Sequence, residues 1–264
     1  MIGAIIGDVV GSPYEHRTAD TPDFPLLQPA SRFTDDTVLT VATAEALLSG
    51  EPYDRAYRRW GRRYPRAGYG GTFARWLRTE GAGPYGSWGN GSAMRVSPVG
   101  LAFADADRVL AEAERSAAVT HDHPEGIRGA QAAALAVFLA RAGRPKAEIR
   151  RELAERLGYD LTRTLDEIRP GYAFDVSCQG SVPEALTAFL EAADFEGAVR
   201  AAVWLGGDAD TQAAIAGAAA AAYDGGVPPD LERAVRRRLP ADVLEVLDAF
   251  DAAYPIARSG RAGE

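Results

Sequence analysis

The sequence predicts an all-α fold, and three observations predict it. Alanine-rich stretches with apolar residues at helical spacing recur from end to end. Capping residues and glycines punctuate them, and the apolar/polar alternation of β-strands is hard to find. The opening segment places Gly3, Gly7 and Gly11 four residues apart, a strip along which another backbone can approach closely. Each such glycine costs about 1 kcal/mol against alanine, which packing or a ligand must offset. Pro13 ends this helix and leaves Tyr14 and Glu15 on a turn.

Further helices are expected over Thr37 to Leu48, Ala106 to Val119, Gly126 to Ala142 and Lys146 to Leu157. Four more follow, over Pro183 to Ala192, Glu196 to Leu205, Thr211 to Tyr223 and Ala241 to Ala253. Asp105 and Asp194 stand where N-caps are wanted, and Pro145 falls in a first turn. Gly143, Gly158, Gly206 and Gly225 fall just past helix ends. No linker or fixed-period repeat divides the chain, so one domain is expected over residues 1–257, with a small polar tail at 258–264 that frays.

With 47% hydrophobic residues in 264, the chain has ample material for a core. A formal net charge of -8 argues against a general grip on nucleic acid or an anionic membrane. Cys178 is the only cysteine, so an intrachain disulfide and a thiolate cluster are excluded and a reducing cytoplasm fits. The N-terminal segment carries Asp8 and no basic stretch, so it fails as a signal peptide, and no apolar run of about 20 residues spans a bilayer. A monomer is expected.

The chemistry lies in paired carboxylates. Phe33-Thr34-Asp35-Asp36-Thr37 leads straight into a helix, where one Asp would suffice as a cap. Two carboxylates about 4 Å apart repel by about 4 kcal/mol at an effective dielectric near 20, unless a cation or proton intervenes. Gly206-Gly207-Asp208-Ala209-Asp210-Thr211 repeats the device at another helix start. All-oxygen ligand sets of this kind suit hard divalent cations such as magnesium or manganese.

Between them, Ser87-Trp88-Gly89-Asn90-Gly91-Ser92-Ala93-Met94-Arg95 forms a glycine-rich loop before a helical run kinked by Pro98. Its amides suit an anion, although an ordinary turn explains it equally. Arg95 would meet a phosphate or a site carboxylate. In Thr120-His121-Asp122-His123-Pro124, the i, i+2 spacing is wrong for a helical zinc pair. A helix cap is the leading reading there, and a substrate contact the other. The stretch from Tyr64 to Phe73 lines an entrance or packs a surface loop, while Arg233, Arg236, Arg237 and Arg238 read as a solvated helix face.

Taken in order, five blocks resemble the ADP-ribosylglycohydrolase family, which includes ADP-ribosyl-arginine and ADP-ribosyl-serine hydrolases. They are Gly3-Ala4-x-x-Gly7-Asp8-x-x-Gly11-x-x-Tyr14-Glu15, Phe33 to Thr37, Gly89 to Arg95, Thr120-His121, and Gly207 to Thr211. The resemblance implies a compact orthogonal helical bundle with a binuclear magnesium or manganese centre. It implies Thr34, Asp35, Asp36, Asp208, Asp210 and Thr211 as metal ligands, and Glu15 and Asp36 as catalytic residues. Gly89, Asn90, Gly91, Ser92 and Met94 would cradle the diphosphate, with His121 a further contact to ADP-ribose. The substrate would be an ADP-ribosylated protein, a small-molecule conjugate or a modified nucleic acid base, cleaved at the glycosidic bond to release ADP-ribose. A binuclear-metal nucleotide phosphohydrolase and a non-catalytic ADP-ribose-binding protein are the alternatives.

Overall fold

Alanine and glycine let helix backbones approach more closely than leucine does, and this chain is built on such contacts. The computed structural model describes residues 1–256. It begins with α1 (Ile2–Gly11), α2 (Asp35–Ser49), α3 (Tyr53–Arg63), α4 (Gly71–Arg78) and α5 (Ser97–Ala102). The middle of the chain forms α6 (Ala106–Ala118), α7 (Pro124–Arg141), α8 (Lys146–Leu157) and the short α9 (Leu165–Ile168). It closes with α10 (Cys178–Glu191), α11 (Phe195–Leu205), α12 (Ala209–Asp224), α13 (Pro229–Arg236) and α14 (Ala241–Ala253). Among the described residues there is no strand, only an isolated antiparallel bridge between Gly89 and Ser177. None of these helices is long and apolar enough to cross a membrane.

The alanine-rich α12 is the hub. It is buried on nearly every side, and α1, α7, α10 and α11 pack around it. A helix apolar all round belongs inside, as this one is. All ten residues of α1 are buried. Its glycine strip lies against α12: a Cβ on Gly7 would sit 2.0 Å from the Ala213 carbonyl oxygen, and one on Gly3 2.5 Å from that of Gly217. Gly11 faces the backbone of Ala209 and Asp210 in the same way. Ascending along α1 thus descends along α12, so the two helices are antiparallel. The glycines are explained by packing, and the packing sets the end of α1 beside the start of α12.

Several elements depart from expectation. Ser177 caps α10 by accepting the Gly180 amide, so that helix starts at Cys178 and carries Pro183 inside it. A proline is best tolerated in a first turn, which is why the sequence pattern suggests a start at Pro183. The arginines of α3 mask its apolar stripe, yet Tyr53, Ala56, Tyr57 and Trp60 are buried at i, i+3, i+4 and i+7. α4, α9 and α13 are short and not alanine-rich. Arg233 and Arg236 lie on α13 and pair with Asp230 and with Glu232 and Asp248, whereas Arg237 and Arg238 follow its end. The tail expected at 258–264 lies outside the described residues.

Candidate active site

Three helix ends converge. Asp8 comes from the last turn of α1, Asp35 and Asp36 from the first turn of α2, and Asp208 and Asp210 from the start of α12. Asp8, Asp36 and Asp210 each place an oxygen within 4.8 Å of the others, and all three are buried. Asp8 is bound to the start of α2. It accepts the Thr34 amide (2.9 Å) and hydroxyl (2.7 Å) and the Thr37 amide (3.1 Å) and hydroxyl. Thr34 caps α2, its Oγ1 accepting the Asp36 amide. Because its one hydroxyl hydrogen goes to Asp8, Thr34 faces any further neighbour as an acceptor.

Asp208 caps nothing with its side chain. Instead its carboxylate accepts from Asn90 Nδ2 at 2.7 Å, so the glycine loop grips the second aspartate pair. Asp36 Oδ1 is buried with no hydrogen-bond partner. A buried polar atom without a partner is costly and rare, and it marks the place of a missing neighbour.

Electrostatics points the same way. Burial pushes the Asp35 carboxyl up to about 8, with the charges of Asp8, Asp208 and Glu15 adding to it. Asp36 and Asp210 are held well above the usual carboxylate range by burial and then by neighbouring carboxylates. Burial raises Asp8 to about 6 against the pull of its Thr34 and Thr37 bonds, and raises Asp208 against its bond from Asn90. Such a cluster requires protons or cations between its members. The hard oxygen donors and the unpartnered Asp36 oxygen fit a divalent cation, and the buried acidic cluster could hold metal ions.

The cluster opens on a cleft of about 430 Å³. Glu15, Asp35, Asp36, Asp208, Asp210 and Thr211 line it together with Gly89, Asn90, Gly91, Met94 and His121. Glu15 follows the 3-10 turn Ser12–Tyr14, is partly exposed, and lies 3.5 Å from His16. Two of the expected site residues do not reach the cleft wall. Thr34 lies behind, bonded to Asp8, and Ser92 is buried with its hydroxyl on the Gly126 carbonyl at 2.7 Å. Arg95 borders the cleft, and among the described residues it pairs with no carboxylate. It is fully buried over the Tyr57 ring and donates to Ser116 O and Thr120 Oγ1.

The two histidines divide the roles left open in the sequence. His123 caps α7 by accepting the Glu125 amide, and His121 faces the cleft. The aromatic-glycine stretch both packs and lines. Tyr64 stacks on Trp60, while Gly68, Gly70, Gly71, Thr72 and Phe73 border the cleft beside Asp35.

Asp8 is a site residue beyond those expected from the sequence, although a lone charge in an apolar helix signals a buried acceptor. Tyr85, Phe174 and Val176, also unexpected from the sequence, line the cleft. Phe174 and Val176 are 53% and 44% exposed, large apolar groups that folding leaves in water at the cleft.

An all-helical bundle that gathers carboxylates from three helix ends beside a glycine loop defines a class of hydrolytic site. The ADP-ribosylglycohydrolase family model matches residues 1–258. The chain belongs to the ADP-ribosylglycohydrolase family and is an enzyme of that family. It is 30% identical to human ADP-ribosylhydrolase ARH3, covering 85% of this chain and 84% of that protein. It is 28% identical to the ADP-ribosylarginine hydrolase Tri1 of Pseudomonas putida, covering 87% and 71%. Among solved structures, one titled an ADP-ribosylglycohydrolase-related protein complex superposes with a TM-score of 0.69 at 29% identity, covering 97% of this chain and 96% of that one.

Proposed function

We propose that the protein hydrolyses the glycosidic bond between ADP-ribose and an acceptor, releasing ADP-ribose, with two magnesium or manganese ions at the aspartate cluster. The acceptor would be a modified protein side chain, a small molecule or a nucleic acid base, and the names of its relatives ARH3 and Tri1 support this substrate class. One observation carries the reading. Asp35, Asp36, Asp208 and Asp210 line one cleft with Glu15, and Asp36 Oδ1 is buried without a partner.

Asp35, Asp36, Asp208, Asp210, Thr211 and the acceptor-only face of Thr34 would hold the cations. When bound, divalent cations supply charge stabilisation and fix the orientation of hydroxyl oxygens. The chain's own residues do the rest. Asp8 holds the α2 start in place, and Asn90 holds Asp208. Asp36 keeps one carboxylate oxygen unspent toward the cluster. Glu15 presents a carboxylate to the open side, where it can stabilise oxocarbenium-like charge and manage the proton of the leaving group or the attacking water. The glycine loop and His121 face the place where a diphosphate would lie.

The test is product analysis on arginine-, serine- and nucleobase-linked ADP-ribose. Free ADP-ribose should appear with magnesium or manganese, vanish in chelator, and vanish with Asp208→Ala. Full activity of Asp208→Ala in chelator, or AMP as the product, would overturn the reading. Glu15→Gln should lower kcat by at least about 100-fold while retaining ADP-ribose binding.

A further inference from the structure

Arg95 is a buried cation without a carboxylate, an expensive arrangement that calls for a purpose. It is 0% exposed, stacks over the Tyr57 ring at 4.2 Å, and leaves Nε and Nη1 without hydrogen-bond partners. Its Nη2 donates to Thr120 Oγ1 at 2.8 Å, and Thr120 Oγ1 lies 2.7 Å from His121 Nδ1. A hydroxyl has one hydrogen to give. Its oxygen has two lone pairs: an Arg95 N–H occupies one, and with the protonated Tyr85 phenol beside the other the hydroxyl hydrogen is left for Nδ1, which makes Nδ1 the unprotonated ring nitrogen.

The ring dipole agrees. An imidazole with its lone pair toward the guanidinium is favoured over one with an N–H aimed at it. The other ring nitrogen, Nε2, faces the glycine loop: a Cβ on Gly91 would lie 3.2 Å from it.

We propose that Arg95 and Thr120 are positioning residues that lock His121 as the neutral Nε2–H tautomer, giving the cleft one fixed hydrogen-bond donor beside the glycine loop. The donor suits an anionic phosphate oxygen, a step that rests on the ADP-ribose reading above. The neighbouring groups leave this arrangement intact. The Tyr85 phenol is hydrogen-bonded to Thr120 and is pushed up to about 12 by burial, so it keeps its proton and can donate it to Oγ1. Asp122 is spent on the Gly86 amide, and Glu125 on Arg128. Burial, and then the Arg95 charge, hold His121 well below the ordinary histidine range. Oxyanion binding at this position therefore does not depend on forming an imidazolium, and its affinity should be flat where histidines ordinarily titrate.

The experiment uses the whole protein labelled with ring-15N histidine. The chain has three histidines, so His121→Asn identifies the relevant signal. In the ligand-free protein, His121 should show the neutral Nε2–H pattern, unmoved between about pH 5 and pH 8. An Nδ1–H ring, or titration in the ordinary histidine range, overturns the proposal. Thr120→Val should lose the single-tautomer pattern and weaken ADP-ribose binding about tenfold, and Thr120→Ser should restore both. An unchanged tautomer in Thr120→Val also overturns it. An Nε2–H ring in a protein that does not bind ADP-ribose supports the relay and sinks the substrate reading instead.

Discussion

A carboxylate inside an apolar helix has to be given donors, and Asp8 receives four of them from Thr34 and Thr37. The bonds serve two ends at once. They make Asp8 tolerable in the core, and they hold the start of α2 where Asp35 and Asp36 face the cleft. Asp8→Asn keeps the volume but turns an amide donor toward donors. It should cost about 2 kcal/mol, read as a lower urea midpoint; an unchanged midpoint would show that the bonds contribute little. Gly91→Ala tests a different contact, since its Cβ would press on His121 Nε2 at 3.2 Å. ADP-ribose affinity should fall about tenfold with stability nearly unchanged, measured by calorimetry and thermal melting. At this scale the aspartate pairs were legible because paired carboxylates at a helix start exceed what a cap needs. Asp8 was not, because its meaning depends on two threonines far along the chain.

The helices divide by how they announce themselves. Those rich in alanine were found with limits close to those observed, since their spacing and caps agree. α3 hid its apolar stripe among arginines, and α10 hid its first turn behind Pro183. What no local pattern contains is the partner of a helix. The glycine strip of α1 announced a close approach, yet only the fold identifies α12 as the neighbour. Gly7→Ala sets a methyl carbon against a backbone carbonyl that cannot move aside. It should destabilise the protein by about 3 kcal/mol or more, and should reduce metal affinity in the same variant because Asp8 and Asp210 are carried by the two displaced helices. Wild-type melting and metal titration curves for that variant would refute the coupling of seam and site.

For the molecule as a whole, the raised carboxylates tie stability to pH. Asp35, Asp8, Asp36 and Asp210 titrate above their unfolded values, so between about pH 4 and their folded values the folded state holds more protons than the unfolded one. Their contribution is present at low pH and is lost as pH rises through that window. His121, depressed by burial, works in the opposite direction, favouring the fold above about 6.5 and opposing it below, but the carboxylates outnumber it. In chelator, the urea midpoint should therefore fall from pH 5 to pH 8, and magnesium or manganese should recover more at pH 8 than at pH 5. Equal recovery at both values would argue that the ions do not replace protons at the cluster. The seam between α1 and α12 gives this site one more property. About three-quarters of the chain separates its first carboxylate, Asp8, from its last, Asp210, so a ribosome must deliver the start of α12 before the cluster can exist. A nascent chain stopped short of Asp208 would carry the glycine loop and Glu15 but only part of the carboxylate cluster, which assembles once the two distant segments have met.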